Sequence, residues 1–203
     1  MTKLSDIQTK PKRSSNRKIQ IRDVARNMFK EKGYAATSMR GLASEVGIEA
    51  ASLYNHIKSK HDILQEVCFE IAGHFLMNLE EPYDQNLSAT ERLKIAIENH
   101  LHVIIDNIDA AAVFFNEWRH LENEQLQIFK KMRGDYENHF LEILKAGQKS
   151  GEFRKVNEKL IALTLFNSMN WIYQRYQPKG KWDSKKIANE LAELFITGIK
   201  NKN

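Results

Sequence analysis

The residues of this sequence best suited to chemistry lie close together, between positions 37 and 63. Polar and cationic side chains alternate there with small ones: Thr37, Ser38, Arg40, Ala50, Ala51, Ser52, Tyr54, Asn55, His56, Lys58 and Lys60. Small residues at the start of a helix let it approach a groove closely, and a helix that begins at Lys60 would present free amides to a phosphate. The chemistry that this run predicts is the binding of DNA.

Two later segments, 114–121 and 170–180, mix aromatic side chains with Asn, Arg and His. A cavity lined in this way holds an apolar chain between aromatic walls and offers charged groups to a polar head. Ordinary packing is the alternative, in which Trp118, Trp171 and Tyr173 are core or interface aromatics and the arginines pair with nearby carboxylates. Both interpretations stay open from the sequence alone.

Signatures of catalysis are absent from the sequence. It contains no nucleophile elbow, no phosphate-binding glycine loop, no His pair at metal-ligand spacing and no obvious carboxylate dyad. Its single cysteine, Cys68, excludes an intrachain disulfide and is expected to pack as a small apolar residue. We therefore predict that the protein is not an enzyme and that it holds no metal and no cofactor.

The elements that position the first group can be derived from hydrophobic spacing. Apolar residues recur at helical intervals on one face of a short segment: Met39, Leu42, Ala43 and Val46. Thr37 or Ser38 can cap this helix, because a hydroxyl there accepts a bond from an unpaired amide. Gly47 should end it near Val46, since glycine adopts left-handed backbone angles at little cost.

A second helix is predicted over residues 50–57, and a third begins at Lys60. Ser59 and Asp62 have the spacing of a capping box, which sets the start of the third helix. Two short helices joined by a glycine turn and followed by a capped helix are typical of a helix-turn-helix DNA-binding unit.

Helical periodicity also dominates the rest of the chain, which contains only 3 prolines. Further helices are expected at about 17–32 and from Lys60 to just before Pro82. Others are expected at about 88–108 and 110–120, from about 122 to the region of Gly147 and Gly151, and at about 157–177 and 184–200. The predicted fold class is all-α, with about nine helices.

Charge is distributed unevenly along the chain. Residues 1–60 contain 13 Lys and Arg against 5 Asp and Glu, a net charge of +8, whereas residues 61–203 contain 18 against 21, a net charge of −3. A basic head on a slightly acidic body suits a protein whose head alone approaches a polyanion. Residues 1–15 are expected to form a disordered basic arm, either on DNA or in solvent. With no apolar leader and no membrane-length run, the protein is expected in the cytoplasm.

The sequence from about residue 19 to residue 64 resembles the TetR family of bacterial transcriptional regulators. The matching residues, in order, are Gly33, Tyr34, Thr37, Ser38, Arg40, Leu42, Ala43, Gly47, Ile48, Leu53, Tyr54, His56, Ser59 and Lys60. The resemblance implies that the helix from about Ala50 is the recognition helix in the major groove. It also implies two sets of contacts: phosphates for Thr37, Tyr54, His56 and Lys60, and base edges for Arg40, Ala51, Ser52 and Asn55. Glu49 departs from the usual Ser or Thr at the turn.

After the basic arm at 1–15, the same resemblance implies a helix-turn-helix DNA-binding domain at 16–62 and a helical ligand-binding and dimerisation domain at 63–203. It further implies a homodimer formed by the last two helices, which reads a palindromic operator in double-stranded DNA. The apolar residues of those helices agree with that assignment. The alternative function, from another class of protein, is a helical protein-interaction module that does not bind DNA.

The two aromatic segments resemble the branch of the family that regulates breakdown of fatty acids, aromatic acids or sterol fragments. That resemblance implies an acyl-coenzyme A effector and release of the operator when it binds. The implied ligand residues are Phe115, Trp118, Phe166, Asn170 and Tyr173 for the acyl part and Arg119, Arg133 and Arg175 for the phosphates. Tyr136, in the segment between the two aromatic segments, is also counted as a ligand residue. Free fatty acids, aromatic drugs and quorum signals are the alternative effectors.

Overall fold

A computed structural model describes residues 13–79, 87–177, 180 and 183–201. Its helices are α1 (Arg13–Lys32), α2 (Met39–Val46), α3 (Ala50–Leu53), α4 (Lys60–Met77), α5 (Ala89–Asp106), α6 (Ile108–Glu117), α7 (Asn123–Ser150), α8 (Glu158–Asn170), α9 (Ile172–Arg175) and α10 (Ser184–Ile199). The predicted all-α class is confirmed. The chain divides into two compact units, Met1–Leu64 and Gln65–Asn203.

In the first unit, here called the head, α2 packs against both α1 and α3. Apolar side chains from each helix close a small core, among them Ile21, Phe29, Leu42 and Leu53, which are almost completely buried. Burial of this surface is the main free energy that holds three short helices together.

The turn between α2 and α3 forms as the sequence predicts. Ser38 caps α2, its hydroxyl accepting a bond from the Gly41 amide at 3.0 Å. Gly47 follows the helix with φ +74°, in the left-handed region that favours glycine. The Ile48 amide then donates to the Ala43 carbonyl at 3.0 Å, so the turn is fixed by backbone bonds.

Three boundaries of the first 80 residues differ from the prediction. Helix α3 covers only residues 50–53, and residues 54–56 form a turn, so the expected helix over 50–57 is too long. Residues 13–15, assigned to a disordered arm, belong to α1; residues 1–12 lie outside the described part of the chain. Helix α4 ends at Met77, whereas Pro82, expected to end it, also lies outside the described residues.

In the second unit, here called the body, α5 is the central helix and packs against α6, α7, α8, α9 and α10. The predicted capping box opens it: Ser88 and Glu91 each bind the other's backbone amide. The Glu152 carboxylate adds three bonds, accepting from the Ala89 amide, the Thr90 amide and the Thr90 hydroxyl at 2.8–2.9 Å. Although burial raises the pKa of Glu152, these bonds and one from Ser150 lower it to about 2.

The ends of α7 and α10 are joined by backbone bonds. Phe153 and Lys200 form an isolated antiparallel bridge, and the Arg154 amide donates to the Ile199 carbonyl at 2.9 Å. The Phe153 ring is buried against Gly147, where a Cβ would overlap it. Glycine is therefore needed at position 147 for close packing, and α7 continues past it to Ser150.

The predicted helix over 157–177 is divided in two. Helix α8 ends at Asn170, Trp171 forms a turn, and the short α9 ends at Arg175. Pro178, which was expected to stop this segment, lies outside the described residues.

Candidate nucleic-acid interface and effector cavity

The head exposes one cluster of side chains around the α2–α3 turn. Tyr54 has 56% of its surface exposed. Ser38, Arg40, Ala51, Asn55 and Lys58 are also exposed, whereas Ala50, Ser52 and His56 are half-buried. The structure thus leaves most of the predicted DNA contacts open to solvent on the head.

Thr37 differs from this group because only 2% of it is exposed. Its hydroxyl donates to the Gly33 carbonyl at 2.9 Å, one turn earlier in the chain. The expected bond from the Thr37 hydroxyl to a phosphate does not fit this burial. The residue instead closes the loop between α1 and α2.

Lys60 is committed to the same loop. Its ammonium donates to the carbonyls of Tyr34 and Thr37, both at 2.7 Å, and lies 4.2 Å from the centroid of the Tyr34 ring. A phosphate role was predicted for this lysine, but two of its three N–H donors hold the head together. The Ser59 hydroxyl caps the helix that carries it, accepting from the Asp62 amide at 3.1 Å.

Glu49, the unusual residue of the turn, precedes α3 without capping it. Its backbone is extended, its side chain makes no cap hydrogen bond and it is exposed. The carboxylate is therefore free to turn away from a polyanion, which its charge disfavours.

The body contains an apolar cavity of about 60 Å³, enough for a few water molecules. Its lining residues come from α4 to α8: Ala72, Phe75, His100, Phe114, Phe115, Met132, Arg133, Tyr136, Glu137, Phe166 and Asn170. We call this space the inner cavity. Aromatic rings form most of its wall, as the sequence predicts for Phe115, Tyr136 and Phe166.

A chain of three uncharged groups crosses the wall of the inner cavity. Nε2 of His100 lies 2.9 Å from Oδ1 of Asn170, and Nδ1 lies 2.9 Å from the Tyr136 hydroxyl. Only 3% of His100 is exposed, and its ring stacks on Phe75 at 4.8 Å between centroids. Burial lowers the pKa of His100 to about 4, although the bond with Asn170 opposes the shift. The imidazole is therefore neutral at pH 7.

Neutral His100 has one donor and one acceptor, and its neighbours decide which nitrogen is which. Because Oδ1 of Asn170 can only accept, Nε2 carries the proton and donates to it. Nδ1 is then the acceptor and receives the Tyr136 hydroxyl proton. We call these three residues the polar relay.

A polar cleft of about 310 Å³ adjoins the inner cavity and shares Phe114, Phe115, Arg133 and Asn170 with it. Its other lining residues are Asn116, Trp118, Arg119, Asn167, Trp171, Tyr173 and Gln174. We call it the outer cleft. The inner side is thus apolar and the outer side carries two guanidinium groups.

The two arginines of the outer cleft are held by the Trp118 ring. Arg119 and Arg133 lie 4.8 and 4.9 Å from its centroid, within cation–π range. Arg133 also meets Glu137 at 3.5 Å, a partly exposed pair. The Tyr173 ring stacks on Phe115 and its hydroxyl donates to Asn116 at 2.9 Å.

The structure brings together all the predicted ligand residues except one. Arg175 is exposed at the end of α9 and lines neither space; its proximity in sequence to Tyr173 does not bring it into the cleft. His100 and Phe75 were missed. Their signal is present in the sequence, since each is an aromatic or polar residue on the apolar face of its helix, at the spacing of Ile97 and Ile71.

Among the described residues, no group of His, Cys, Asp and Glu is arranged to hold a metal ion. In the same part of the chain, no helix is long and apolar enough to span a bilayer. Cys68 is buried as predicted, and burial, with the nearby Glu117 charge, raises the pKa of its thiol to about 12.

A helix-turn-helix head followed by a separate helical body is the architecture of a class of DNA-binding transcriptional regulators. Comparison with known families specifies it further. Residues 21–67 match the model of bacterial regulatory proteins of the tetR family, and residues 86–199 match the tetracyclin repressor-like C-terminal domain. The chain belongs to the TetR family of transcriptional regulators and is not an enzyme.

Individual relatives match over most of the chain. The transcriptional repressor KstR2 of Rhodococcus jostii is 25% identical over 91% of this chain and 92% of its own. The fatty acid metabolism regulator protein of Bacillus subtilis is 27% identical over 91% and 96%. AibR, solved in complex with isovaleryl coenzyme A and operator DNA, shares the fold with a TM-score of 0.74 at 20% identity over 88% and 97%.

Proposed function

We propose that this regulator is a cytoplasmic repressor that leaves a palindromic operator when an acyl-coenzyme A thioester enters its body. The observation that carries the proposal is the pairing of the two spaces. An apolar inner cavity shares four wall residues with a cleft that holds Arg119 and Arg133. An acyl thioester has the same division, with an apolar chain at one end and phosphates at the other.

The outer cleft supports the phosphate end of this ligand. A guanidinium can donate two parallel bonds to a phosphate, and both arginines lie at one tryptophan ring, so they can bind neighbouring anions. The weak pair between Arg133 and Glu137, at 3.5 Å and partly exposed, can be exchanged for a phosphate at little cost.

The size of the inner cavity supports a switch. About 60 Å³ has room for a few waters, so an acyl chain longer than a few carbons would require the walls to move. Ala72 and Phe75 of that wall belong to α4, the helix that begins with Lys60. A ligand that displaces these residues shifts α4, and the coupling needed is about 1–3 kcal/mol.

For the head, we retain the exposed and half-buried residues of this cluster as DNA contacts, without Thr37 and Lys60. Tyr54 and Lys58 are placed on phosphates and Arg40, Ser52 and Asn55 near base edges, with Ser38, Ala50, Ala51 and His56 around them. If so, Asn55→Ala changes the order of preference among operator variants, whereas Lys58→Ala weakens all of them alike. Equal losses on every operator for both variants would contradict the assignment.

A homodimer through α8 and α10 is the proposed assembly. Leu160 and Leu163 on α8 and Leu194 on α10 are 62%, 45% and 67% exposed. A second copy would bury these side chains and set two heads on successive turns of DNA. Light scattering at micromolar concentration should give twice the chain mass, and the mass of one chain would contradict the proposal.

Calorimetric titration with acyl-coenzyme A thioesters of graded chain length, set against the free acids, tests the effector class. Arg119→Ala and Arg133→Ala should each weaken thioester binding about tenfold or more, because each removes charge-assisted bonds. Arg175→Ala is the matched control and should leave affinity unchanged, since it lines neither space.

Three outcomes of that titration would contradict the proposed effector. A flat response to every thioester would exclude acyl-coenzyme A. Tighter binding of free fatty acids or aromatic drugs would assign one of those as effector instead. Equal losses in the Arg119, Arg133 and Arg175 variants would show that the outer cleft is not where the phosphates bind.

A further inference from the structure

The four residues shared by the inner cavity and the outer cleft mark the junction between them. Phe114 and Phe115 are apolar there and Arg133 is charged, which leaves Asn170 as the uncharged hydrogen-bonding side chain. A ligand with its acyl chain inside and its coenzyme outside has its thioester carbonyl at this junction. A carbonyl taken out of water needs a donor, because an unpaired buried acceptor is costly.

Asn170 has such a donor to offer. Its Oδ1 accepts from His100 at 2.9 Å, whereas among the described residues nothing accepts from its Nδ2. A side-chain amide carries two N–H donors on that nitrogen. The half of the amide that is not held by His100 is therefore the donating half.

The position of Oδ1 shows which half that is. Because Oδ1 of Asn170 lies 2.9 Å from Nε2 of His100, the proton of the neutral ring is on Nε2, and Nδ1 is left to accept from the Tyr136 hydroxyl. A protonated Nε2 requires an acceptor, and the Asn170 oxygen supplies it. If the amide were rotated by 180°, two donors would face each other in a buried site. The relay thus holds the Asn170 NH₂ group on the side away from His100.

We propose that Asn170 recognises the effector's acyl carbonyl by donating a hydrogen bond from Nδ2, with His100 and Tyr136 as positioning residues that fix its amide. This inference rests on the proposed acyl-coenzyme A function and specifies that the site recognises the carbonyl group of the thioester. The relay makes the regulator sensitive to the carbonyl itself, in addition to the length of the chain and the charge of the coenzyme.

The test compares two ligands that differ only at this carbonyl. An acyl-coenzyme A thioester and an S-alkyl-coenzyme A thioether of equal length are titrated into the full chain by calorimetry. One net hydrogen bond predicts that the wild type binds the thioester about three- to tenfold more tightly. Asn170→Ala should weaken thioester binding alone and bring the ratio of the two affinities close to one.

Two further variants separate recognition from packing. Asn107→Ala removes an amide that lines neither space and whose Nδ2 donates to the Val103 carbonyl, so it should preserve the wild-type ratio. Tyr136→Phe keeps the ring and removes the hydroxyl that orients His100. It should lower the ratio of thioester to thioether affinity, whereas a loss of packing alone would weaken both ligands alike and leave that ratio unchanged.

The comparison distinguishes the two levels of the proposal. Equal binding of both ligands to the wild type would overturn carbonyl recognition while leaving the acyl-coenzyme A function in place. Equal weakening of both ligands by Asn170→Ala would also overturn it. If neither ligand binds at any chain length, the proposed effector class is wrong and the inference is wrong with it.

Discussion

At the scale of single residues, Lys60 has a different role from the one its position in the motif implies. Its ammonium donates to two carbonyls of the α1–α2 loop at 2.7 Å and faces the Tyr34 ring. Thr37 closes the same loop from inside. The motif residues thus fall into those that build the head, such as Thr37 and Lys60, and those exposed on it, such as Tyr54 and Lys58.

Lys60→Ala should therefore destabilise the protein. Loss of two charge-assisted bonds at a half-buried site is expected to cost about 1.5–3 kcal/mol of unfolding free energy. Urea unfolding followed by circular dichroism measures it. Lys58→Ala, an exposed lysine two positions earlier, should change the unfolding free energy by less than about 0.5 kcal/mol. Equal stabilities for the two variants would show that Lys60 does not hold the loop.

The buried His100 predicts a pH dependence of stability. Its pKa is lowered to about 4 in the folded chain by burial, from 6.5 as the ordinary value. Between these values the unfolded chain binds the proton and the folded chain does not, so stability is lost as pH falls from about 6.5 to about 4. The melting temperature of the wild type should fall over this window.

A His100→Gln variant should lack that part of the decrease, although it is less stable overall. His102→Gln, an exposed histidine on the same helix, is the control and should keep the wild-type pH profile. If His100→Gln and the wild type lose the same number of degrees between pH 7 and pH 5, the imidazole does not remain neutral in the fold.

At the scale of elements, the sequence predicts starts and stops well where one residue determines them. Ser38, Gly47, Ser59 and Ser88 act locally through caps and turns, and all four do so as expected. Helix α3 ends at Leu53, earlier than predicted, because the Asn55 and His56 amides donate only three residues back, to the Ser52 and Leu53 carbonyls, which makes a turn rather than a further α-helical turn. His100 was missed because its partners Tyr136 and Asn170 are distant in sequence.

Two glycines of α7 should respond oppositely to the same substitution. Gly147→Ala places a methyl group into the buried Phe153 ring and should cost about 1–3 kcal/mol of unfolding free energy. Gly134→Ala meets nothing within 4 Å and should gain up to about 1 kcal/mol from helix propensity. Melting temperatures of both variants measure this, and stabilisation by Gly147→Ala would show that the α7 end is not packed as described.

At the scale of the whole molecule, the charge distribution and the fold both separate a basic head from a helical body. The net charge of +8 on residues 1–60 was visible in the sequence, and so was the helical class of the body. The arrangement of the inner cavity and outer cleft was not, because the cavity alone depends on side chains from five helices meeting, and the cleft adds residues of α9. Arg175 illustrates the difference: its spacing resembles that of a ligand residue, but the end of α9 leaves it exposed.

The most direct test of the account is release of DNA by the effector. The full chain is titrated onto a fluorescent duplex from its own upstream region, by anisotropy at two salt concentrations, with and without an acyl-coenzyme A thioester shown to bind by calorimetry. We expect binding that weakens steeply with salt and is lost when the thioester is added. A DNA affinity that is the same at both salt concentrations, or a DNA complex that persists at saturating thioester, would contradict the account.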